Sequence, residues 1–95
     1  MRVIAKRPLV RFWGRHPEAE KPLRSWLTIC RTRNFANFGE LKTAFRTVDK
    51  VGKFVFDIGG NKFRLVAVVH FNRKRIYVRA VLTHEAYDQD HWKDG

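Results

Sequence analysis

The sequence predicts an α+β domain in which two N-terminal helices pack on one face of a mostly antiparallel sheet of about four strands. Three apolar runs rich in β-branched and aromatic residues, at 53–58, 62–71 and 75–83, follow one another with turn-forming residues between them, which is typical of a strand meander. Two earlier stretches carry apolar residues at helical spacing. With 95 residues, the chain is long enough for one domain, 1–95, and too short for two.

The chain begins with a strand and a basic helix. Residues 2–5 form a short β-prone run that is expected to join the same sheet, and 6–16 has an apolar stripe at helical spacing. Opposite that stripe, Arg7, Arg11 and Arg15 stack one turn apart. Like charges at this spacing destabilise an isolated helix by roughly a few tenths of a kcal/mol each. The stripe formed by these three arginines is therefore either a solvated basic face or a docking surface for an anionic partner.

A second helix is predicted at 18–31, with acidic residues in its first turn and a basic residue in its last, as the helix dipole favours. Its apolar stripe consists of Leu23, Trp26, Leu27 and Cys30. Cys30 is interpreted as a small core residue rather than a nucleophile, and a single cysteine excludes an intrachain disulfide and fits a reducing compartment. Residues 32–52 are partly loop, with a short helix after Asn37, where Glu40 stands at capping-box spacing.

The meander predicts a register. A two-residue loop at Gly59 and Gly60 pairs Asp57 with Lys62, and a loop at 72–75 follows the middle strand. Because side chains alternate along a strand, one face of the sheet should form a core. That face collects Phe54, Phe56, Ile58, Phe63, Leu65, Ala67, Val69, Phe71, Ile76, Val78, Ala80 and Leu82.

The other face of the predicted sheet mixes cations and hydrogen-bonding groups with small apolar residues. It collects Lys53, Val55, Asp57, Lys62, Arg64, Val66, Val68, His70, Tyr77, Arg79, Val81 and Thr83. An ordinary solvent-exposed antiparallel face is one interpretation. The alternative is a shallow basic surface with a binding or catalytic role.

The composition points to a polyanionic partner. The formal charge is +11, from 20 Lys and Arg against nine acids, and such a field attracts RNA, DNA, a ribosome or an acidic protein. A membrane partner is disfavoured, because the sequence has no amphipathic helix that pairs bulky apolar residues with a wide basic face, and no lipidation motif. No apolar run of 18 residues and no signal-peptide pattern occurs, so a cytoplasmic protein is predicted.

Several chemistries lack the residues they require. One Cys and four scattered His make no zinc site, and no phosphate-binding glycine loop occurs, so neither a metal nor a cofactor is expected. The only serine, Ser25, lies in the second predicted helix, so a serine nucleophile is not expected either. RNA cleavage needs only a base, an acid and cations, because the ribose 2′-OH supplies the nucleophile. His84 and Tyr87 are candidates for proton transfer or base stacking. Candidates for holding phosphate are Arg64, Arg79, Lys53 and Lys62.

The segments IGGNKFRLVAVV at 58–69, IYVRAV at 76–81 and THEAYD at 83–88 resemble the HigB family of type II toxins, which belongs to the RelE/ParE-like group. The resemblance extends to HPEAE at 16–20 and implies a RelE-like fold and a metal-independent endoribonuclease, an mRNA interferase. It also implies cleavage of mRNA on the translating 70S ribosome and restraint by a helix-turn-helix antitoxin of the HigA type. The motif positions carried over are Asn61, Arg64, Arg79, Thr83, His84, Tyr87 and Asp88.

Within this set, the catalytic residues are expected to be His84, Tyr87, Arg64 and Arg79. The residues expected to bind RNA are Lys53, Asn61, Lys62, Thr83, Asp88, Arg7, Arg11 and Arg15. The alternatives are a non-catalytic RNA- or ribosome-binding module and a ParE-like gyrase inhibitor, because a fold does not determine its function. In those cases Asn61 serves the hairpin, Thr83 caps a helical turn and Asp88 pairs with a neighbouring arginine.

Overall fold

A computed structural model describes residues 1–4 and 6–88 of the chain. The elements in chain order are β1 (Arg2–Ile4), α1 (Arg7–Arg15), a 3₁₀ turn (Pro17–Ala19), α2 (Glu20–Thr32), α3 (Phe38–Ala44), β2 (Asp49–Val51), β3 (Lys53–Ile58), β4 (Phe63–His70), β5 (Arg75–Thr83) and α4 (His84–Asp88). The strands form one sheet in the order β1-β5-β4-β3-β2, in which β1 runs parallel to β5 and the other neighbours are antiparallel. The predicted α+β class is confirmed.

The two predicted N-terminal helices are confirmed and cover one face of the sheet. Leu9 of α1 and Leu23 of α2 are fully buried in the same apolar cluster as the inward-facing strand residues. Trp26 meets Phe56 edge-on, with ring centroids 5.4 Å apart. Cys30 is also fully buried, and burial raises the pKa of its thiol to about 12, with the N-terminal ammonium acting in the opposite direction. These contacts support Cys30 as a core residue rather than a nucleophile.

The chain terminus fastens β1 to the end of α2. The Met1 ammonium donates hydrogen bonds of 2.6 Å to the carbonyl oxygens of both Cys30 and Arg33. A cation at this position satisfies carbonyls that the helix leaves without partners and complements the negative end of the helix dipole. The predicted strand at 2–5 is present at Arg2–Ile4, and Ala5 lies outside the described residues, as do residues 89–95.

The segment before the meander contains the predicted short helix and one strand that the sequence did not predict. Asn37 caps α3 by accepting a 2.9 Å hydrogen bond from the Glu40 backbone N–H, and Glu40 accepts one of 3.0 Å from Ala36. After α3, β2 pairs with β3 through a turn at Gly52, which has a φ of 75°. β2 brings the sheet to five strands in the described part of the chain, where about four were predicted.

The predicted hairpin register is wrong by two residues. The β3–β4 connection is a four-residue turn at 59–62 rather than a two-residue loop, so Asp57 pairs with Arg64 and not with Lys62. The β4–β5 connection has four residues as predicted, but it lies at 71–74 rather than 72–75, so His70 pairs with Arg75 and not with Tyr77. Because side chains alternate with a period of two, a two-residue error preserves the faces while changing every cross-strand partner.

A β-bulge then shifts the register by one residue. Ala67 pairs with Val78 whereas the adjacent Val66 pairs with Ala80, which leaves Arg79 as the extra residue on β5. A bulge of this kind bends the strand and reverses the facing of every later side chain. The last residues of β5 therefore differ from the prediction.

The predicted facing of residues 80–83 is wrong for this reason. Val81, predicted for the outer face, pairs with Leu65 and packs against the core. Ala80 and Leu82, predicted for the core, lie opposite residues of the outer face. Thr83 pairs with a core residue of β4 and directly precedes α4. The bulge thus sets the direction from which α4 approaches the sheet.

Candidate active site

Arg64 is the hub of a polar network on the sheet face that lies opposite α1 and α2. Its side chain is only 10% exposed. Nε lies 3.1 Å from Asp57 Oδ1, and Nη2 lies 2.5 Å from Asn61 Oδ1 and 3.0 Å from His84 Nδ1. Nη1 donates to the carbonyl oxygens of Phe63, at 3.1 Å, and Asn61, at 3.3 Å. Five acceptors therefore match the five N–H groups of the guanidinium.

The β3–β4 turn creates this arrangement. Its length places Asp57 directly across from Arg64 in the register, so the ion pair is a cross-strand pair. Gly59 and Gly60 have φ values of 64° and 73°, a conformation that other residues rarely adopt. These glycines let the chain turn tightly enough for Asn61 to direct both its carbonyl and its side chain at the guanidinium.

Helix α4 brings the histidine to the hub. Thr83 Oγ1 accepts a 3.1 Å hydrogen bond from the Ala86 backbone N–H and so caps the helix. The backbone N–H of His84 donates a 3.0 Å hydrogen bond to the Lys62 carbonyl oxygen, which fixes the start of α4 beside the β3–β4 turn. One turn later, Asp88 Oδ2 lies 3.1 Å from His84 Nε2.

These contacts select one form of the imidazole. A guanidinium has only donors, so the contact between Arg64 and His84 Nδ1 requires a lone pair on Nδ1. The proton of a neutral His84 then sits on Nε2, where it is donated to Asp88. The result is a continuous chain of contacts from Asp57 through Arg64 and His84 to Asp88.

The network combines a buried cation with an accessible imidazole. The side chains of His84 and Asp88 are 48% and 59% exposed, so a large substrate can reach them. Tyr87 also lies here, with its ring centroid 5.7 Å from Arg64 Cζ. The two carboxylates outnumber the single guanidinium, so positive potential for an anionic substrate must come from cations outside the network.

The structure brings six of the predicted site residues together. They are Asn61, Arg64, Thr83, His84, Tyr87 and Asp88. Lys62 is exposed in the adjacent turn, and Lys53 lies at the beginning of β3. Arg79 lies at the bulge, where it lines a shallow depression of about 230 Å³ together with Val68, His70 and Tyr77. The stripe of Arg7, Arg11 and Arg15 is exposed on α1, on the helix side of the sheet.

Asp57 is the site residue that the sequence analysis did not identify. It was assigned to the correct face, but the two-residue loop paired it with Lys62. The sequence did contain one indication of its role, because Asp57 is the single acid on a predicted face that is rich in cations. A four-residue turn would have paired it with Arg64 and indicated that the arginine was held in place.

Within residues 1–4 and 6–88, no group of three or more His, Cys, Asp or Glu side chains is placed to hold a metal ion. No helix in those residues combines the length and the apolar composition needed to cross a membrane.

Comparison with known proteins gives a consistent set of relatives. Residues 19–90 match the profile of the HigB toxin family, described as the RelE-like toxic component of a toxin-antitoxin system. The mRNA interferase HigB of Escherichia coli O6:H1 (strain CFT073) is 29% identical over 93 residues, which cover 94% of this chain and 90% of that protein. The mRNA interferase toxin HigB of Escherichia coli K12 is 46% identical over 44 residues, which cover 46% of this chain and 40% of that protein.

Proposed function

Because this chain belongs to the HigB family of RelE-like toxins of toxin-antitoxin systems, we propose that it is an mRNA interferase, a metal-independent endoribonuclease. The observation that carries the proposal is the imidazole of His84, which is half-exposed and held between Arg64 and Asp88. A base oriented by a carboxylate on its far nitrogen is a recurrent arrangement for proton abstraction.

The reaction is attack of a ribose 2′-OH on the adjacent phosphate. The new bond joins the 2′-oxygen to phosphorus and the broken bond joins phosphorus to the 5′-oxygen, giving a 2′,3′-cyclic phosphate and a 5′-hydroxyl. Such a step needs a base for the 2′-OH proton, an acid for the departing 5′-oxygen and positive charge for the phosphorane. Each of these groups has a candidate in the network or directly beside it.

His84 is the proposed base. In the form selected by its contacts, Nδ1 carries the lone pair that would accept the 2′-OH proton. Asp88, bonded to Nε2, would hold the ring in orientation and stabilise the imidazolium after transfer. Asp88 therefore acts as a positioning residue for His84 rather than as a proton acceptor.

Arg64 is the proposed stabiliser of phosphorane charge, and its contacts suggest how the base is released. In the free protein, Nη2 occupies the lone pair of His84 Nδ1. A phosphate oxygen is a stronger acceptor than a neutral imidazole nitrogen, so a bound phosphate would take over this N–H. Asp57 would keep its bond to Nε throughout, so the guanidinium stays in place while Nδ1 becomes free for the 2′-OH.

The remaining roles fall to groups around the hub. Tyr87, next to the guanidinium, is the proposed acid for the 5′-oxygen. Lys62, in the turn beside His84, would contact the phosphate nearest the cleaved bond, and Lys53 and Arg79 would contact phosphates further along the strand. Asn61 and Thr83 would maintain the geometry of Arg64 and α4.

The proposed partners follow from the family. We expect the protein to act in the cytoplasm on mRNA bound to the 70S ribosome, and to be restrained by a helix-turn-helix antitoxin of the HigA type. A small helix-turn-helix protein in the adjacent reading frame would support this assignment.

The test is to analyse the ends of RNA cut by the purified protein. The products should carry a 2′,3′-cyclic phosphate or 3′-phosphate and a 5′-hydroxyl, and cutting should persist in EDTA provided that any ribosomes used stay intact. His84→Ala should lower the cleavage rate by roughly 10² to 10⁴. The matched control is His70→Ala, which removes an exposed histidine from the same sheet face outside the network. Because His70 lines the depression with Arg79, the change can affect RNA affinity, but the cleavage rate at saturating RNA should change by less than about threefold. A 5′-phosphate product would contradict the mechanism.

A second candidate is a non-catalytic toxin, either a ribosome-binding module or a ParE-like gyrase inhibitor. The observation that favours it is the full set of acceptors around Arg64, because such a network could serve structure alone. If His84→Ala and Tyr87→Phe both retained full toxicity in growing cells, this candidate would replace the nuclease.

A further inference from the structure

A second basic site lies at the β1 edge of the sheet. A depression of about 690 Å³, here called the β1 groove, is lined by Met1, Arg2, Val3, Lys6, Arg31, Asn34 and Lys74. Four of these residues have cationic side chains and none is an acid. The apolar members, Met1 and Val3, are only 6% and 8% exposed, so the accessible side chains of the lining are the four cations and Asn34.

The four cations come from separate segments of the chain. Arg2 belongs to β1, Lys6 precedes α1, Arg31 lies in the last turn of α2 and Lys74 closes the β4–β5 turn. All four side chains are exposed. The Arg2 backbone N–H bonds to the Lys74 carbonyl at 2.8 Å, which holds two of the segments together.

Helix-dipole energetics explain only part of this convergence. Arg31 at the end of α2 is favoured by the dipole, but Lys6 and Lys74 have no such reason to approach it. Like charges brought together repel, and an anionic ligand removes that cost. The groove therefore has the properties of an anion site rather than of a general solvated surface.

The groove is far from the proposed cleavage site. Arg2 pairs with Arg75 at the first residue of β5, whereas His84 follows the last residue, Thr83. Eight residues of strand separate these ends, which at about 3.3 Å per residue is roughly 26 Å. A single RNA strand would therefore need to run over several nucleotides to reach both sites.

We propose that the β1 groove binds the phosphodiester backbone of RNA at a position remote from the cleaved bond. The lining offers charged donors and the Asn34 amide but no exposed apolar side chain, which suits phosphate oxygens better than the side chains of an acidic protein segment. The choice of RNA rests on the proposed function. The groove itself adds a contact that lengthens the RNA footprint and contributes affinity without touching the chemistry.

The experiment compares two charge-matched variants. The groove variant combines Arg31→Gln with Lys74→Asn, since Lys74 has a φ of 55° and asparagine tolerates that left-handed conformation. The control combines Lys21→Gln with Arg46→Gln, which removes the same charge from exposed positions outside the groove. Thermal unfolding checks that both variants fold; if the groove variant does not, Arg31→Gln alone takes its place.

Binding is measured with a labelled 2′-O-methyl RNA of about 20 nucleotides, which spans both sites and cannot be cleaved. Each single-strand phosphate contact contributes about 0.7 to the slope of log Kd against log salt, so the groove variant should lose roughly 1.4 and Arg31→Gln alone roughly 0.7. The control should lose less than about 0.3. Because the probe is not cut, this result does not depend on whether the protein proves to be a nuclease.

Two results would overturn the proposal. Equal slopes for the groove and control variants would mean that the cations act only through net charge. Retained RNA binding with loss of affinity for a poly-glutamate peptide of the same length would mean that the groove takes an acidic protein segment instead.

Discussion

Replacing Arg64 with alanine should destabilise the whole fold, because the side chain joins the β3–β4 turn, β3 and α4. The guanidinium is largely buried and has Asp57, Asn61 and His84 as side-chain partners. Removing a buried partner of an ion pair costs more than removing an exposed one, because the groups left behind lose both charge compensation and hydrogen bonds.

The size of the effect follows from the exposure of the partners. Asp57 is 25% exposed and His84 is 48% exposed, so water can reach both once Arg64 is gone, and the full cost of a buried pair does not apply. We expect a loss of about 2 to 4 kcal/mol in the free energy of unfolding. For a chain of this size, that corresponds to roughly 10 to 25 °C in Tm. His84→Ala removes an exposed ring at the edge of the network and should cost less than about 1 kcal/mol.

The assay is thermal and urea unfolding of the wild type, Arg64→Ala, Arg64→Lys and His84→Ala, followed by RNA cleavage at a temperature where each variant is folded. Arg64→Lys keeps the charge but presents a single nitrogen, so its stability should lie between those of the wild type and Arg64→Ala. A Tm for Arg64→Ala within about 3 °C of the wild type would show that the network does not form in solution. In that case the Arg64 guanidinium would be free of these partners and available to bind phosphate directly.

Two further predictions concern residues outside the network. The Cys30 thiol is protonated in the folded and unfolded chains below about pH 9, and above that pH the unfolded chain ionises first because burial raises the folded pKa to about 12. Stability should therefore fall as pH rises, and urea unfolding near pH 11 should show the wild type losing about 2 to 3 kcal/mol more than Cys30→Ala. Changing Arg7, Arg11 and Arg15 to Gln should weaken binding to ribosomes or RNA, most visibly at low salt, without changing which bond is cut. Loss of antitoxin binding with unchanged ribosome affinity would instead assign that stripe to the antitoxin.

The sequence predicted the helices and the core face of β3 and β4 because those features depend on periodicity alone. A wrong turn length at Gly59 and Gly60 did not harm the face assignment, since the error was an even number of residues. The strand β2 was missed because its three residues are all exposed and carry no alternating pattern. The bulge at Arg79 was missed because a one-residue insertion depends on how β5 fits its neighbours and α4, and local composition gives no sign of it.

The site was predictable as a set of residues but not as a geometry. The resemblance to a toxin family identified Asn61, Arg64, His84, Tyr87 and Asp88, which lie together in the structure. The burial of Arg64 was not predictable, because it follows from the four-residue turn and from the approach of α4. The sequence therefore suggested a phosphate ligand where the structure has an arginine whose donors are already occupied.

On the proposed mechanism, this geometry separates binding from chemistry. The network of Asp57, Arg64, His84 and Asp88 has two carboxylates against one guanidinium and so does little to attract RNA, although the chain as a whole carries a charge of +11. On the proposed mechanism, affinity would then come from exposed cations elsewhere, while the network would supply orientation and proton transfer. Substitutions of exposed cations should raise KM and alter salt dependence, whereas substitutions in the network should lower kcat. A substrate phosphate would join the two functions, because a phosphate that the outer cations bring to Arg64 would release the lone pair of His84.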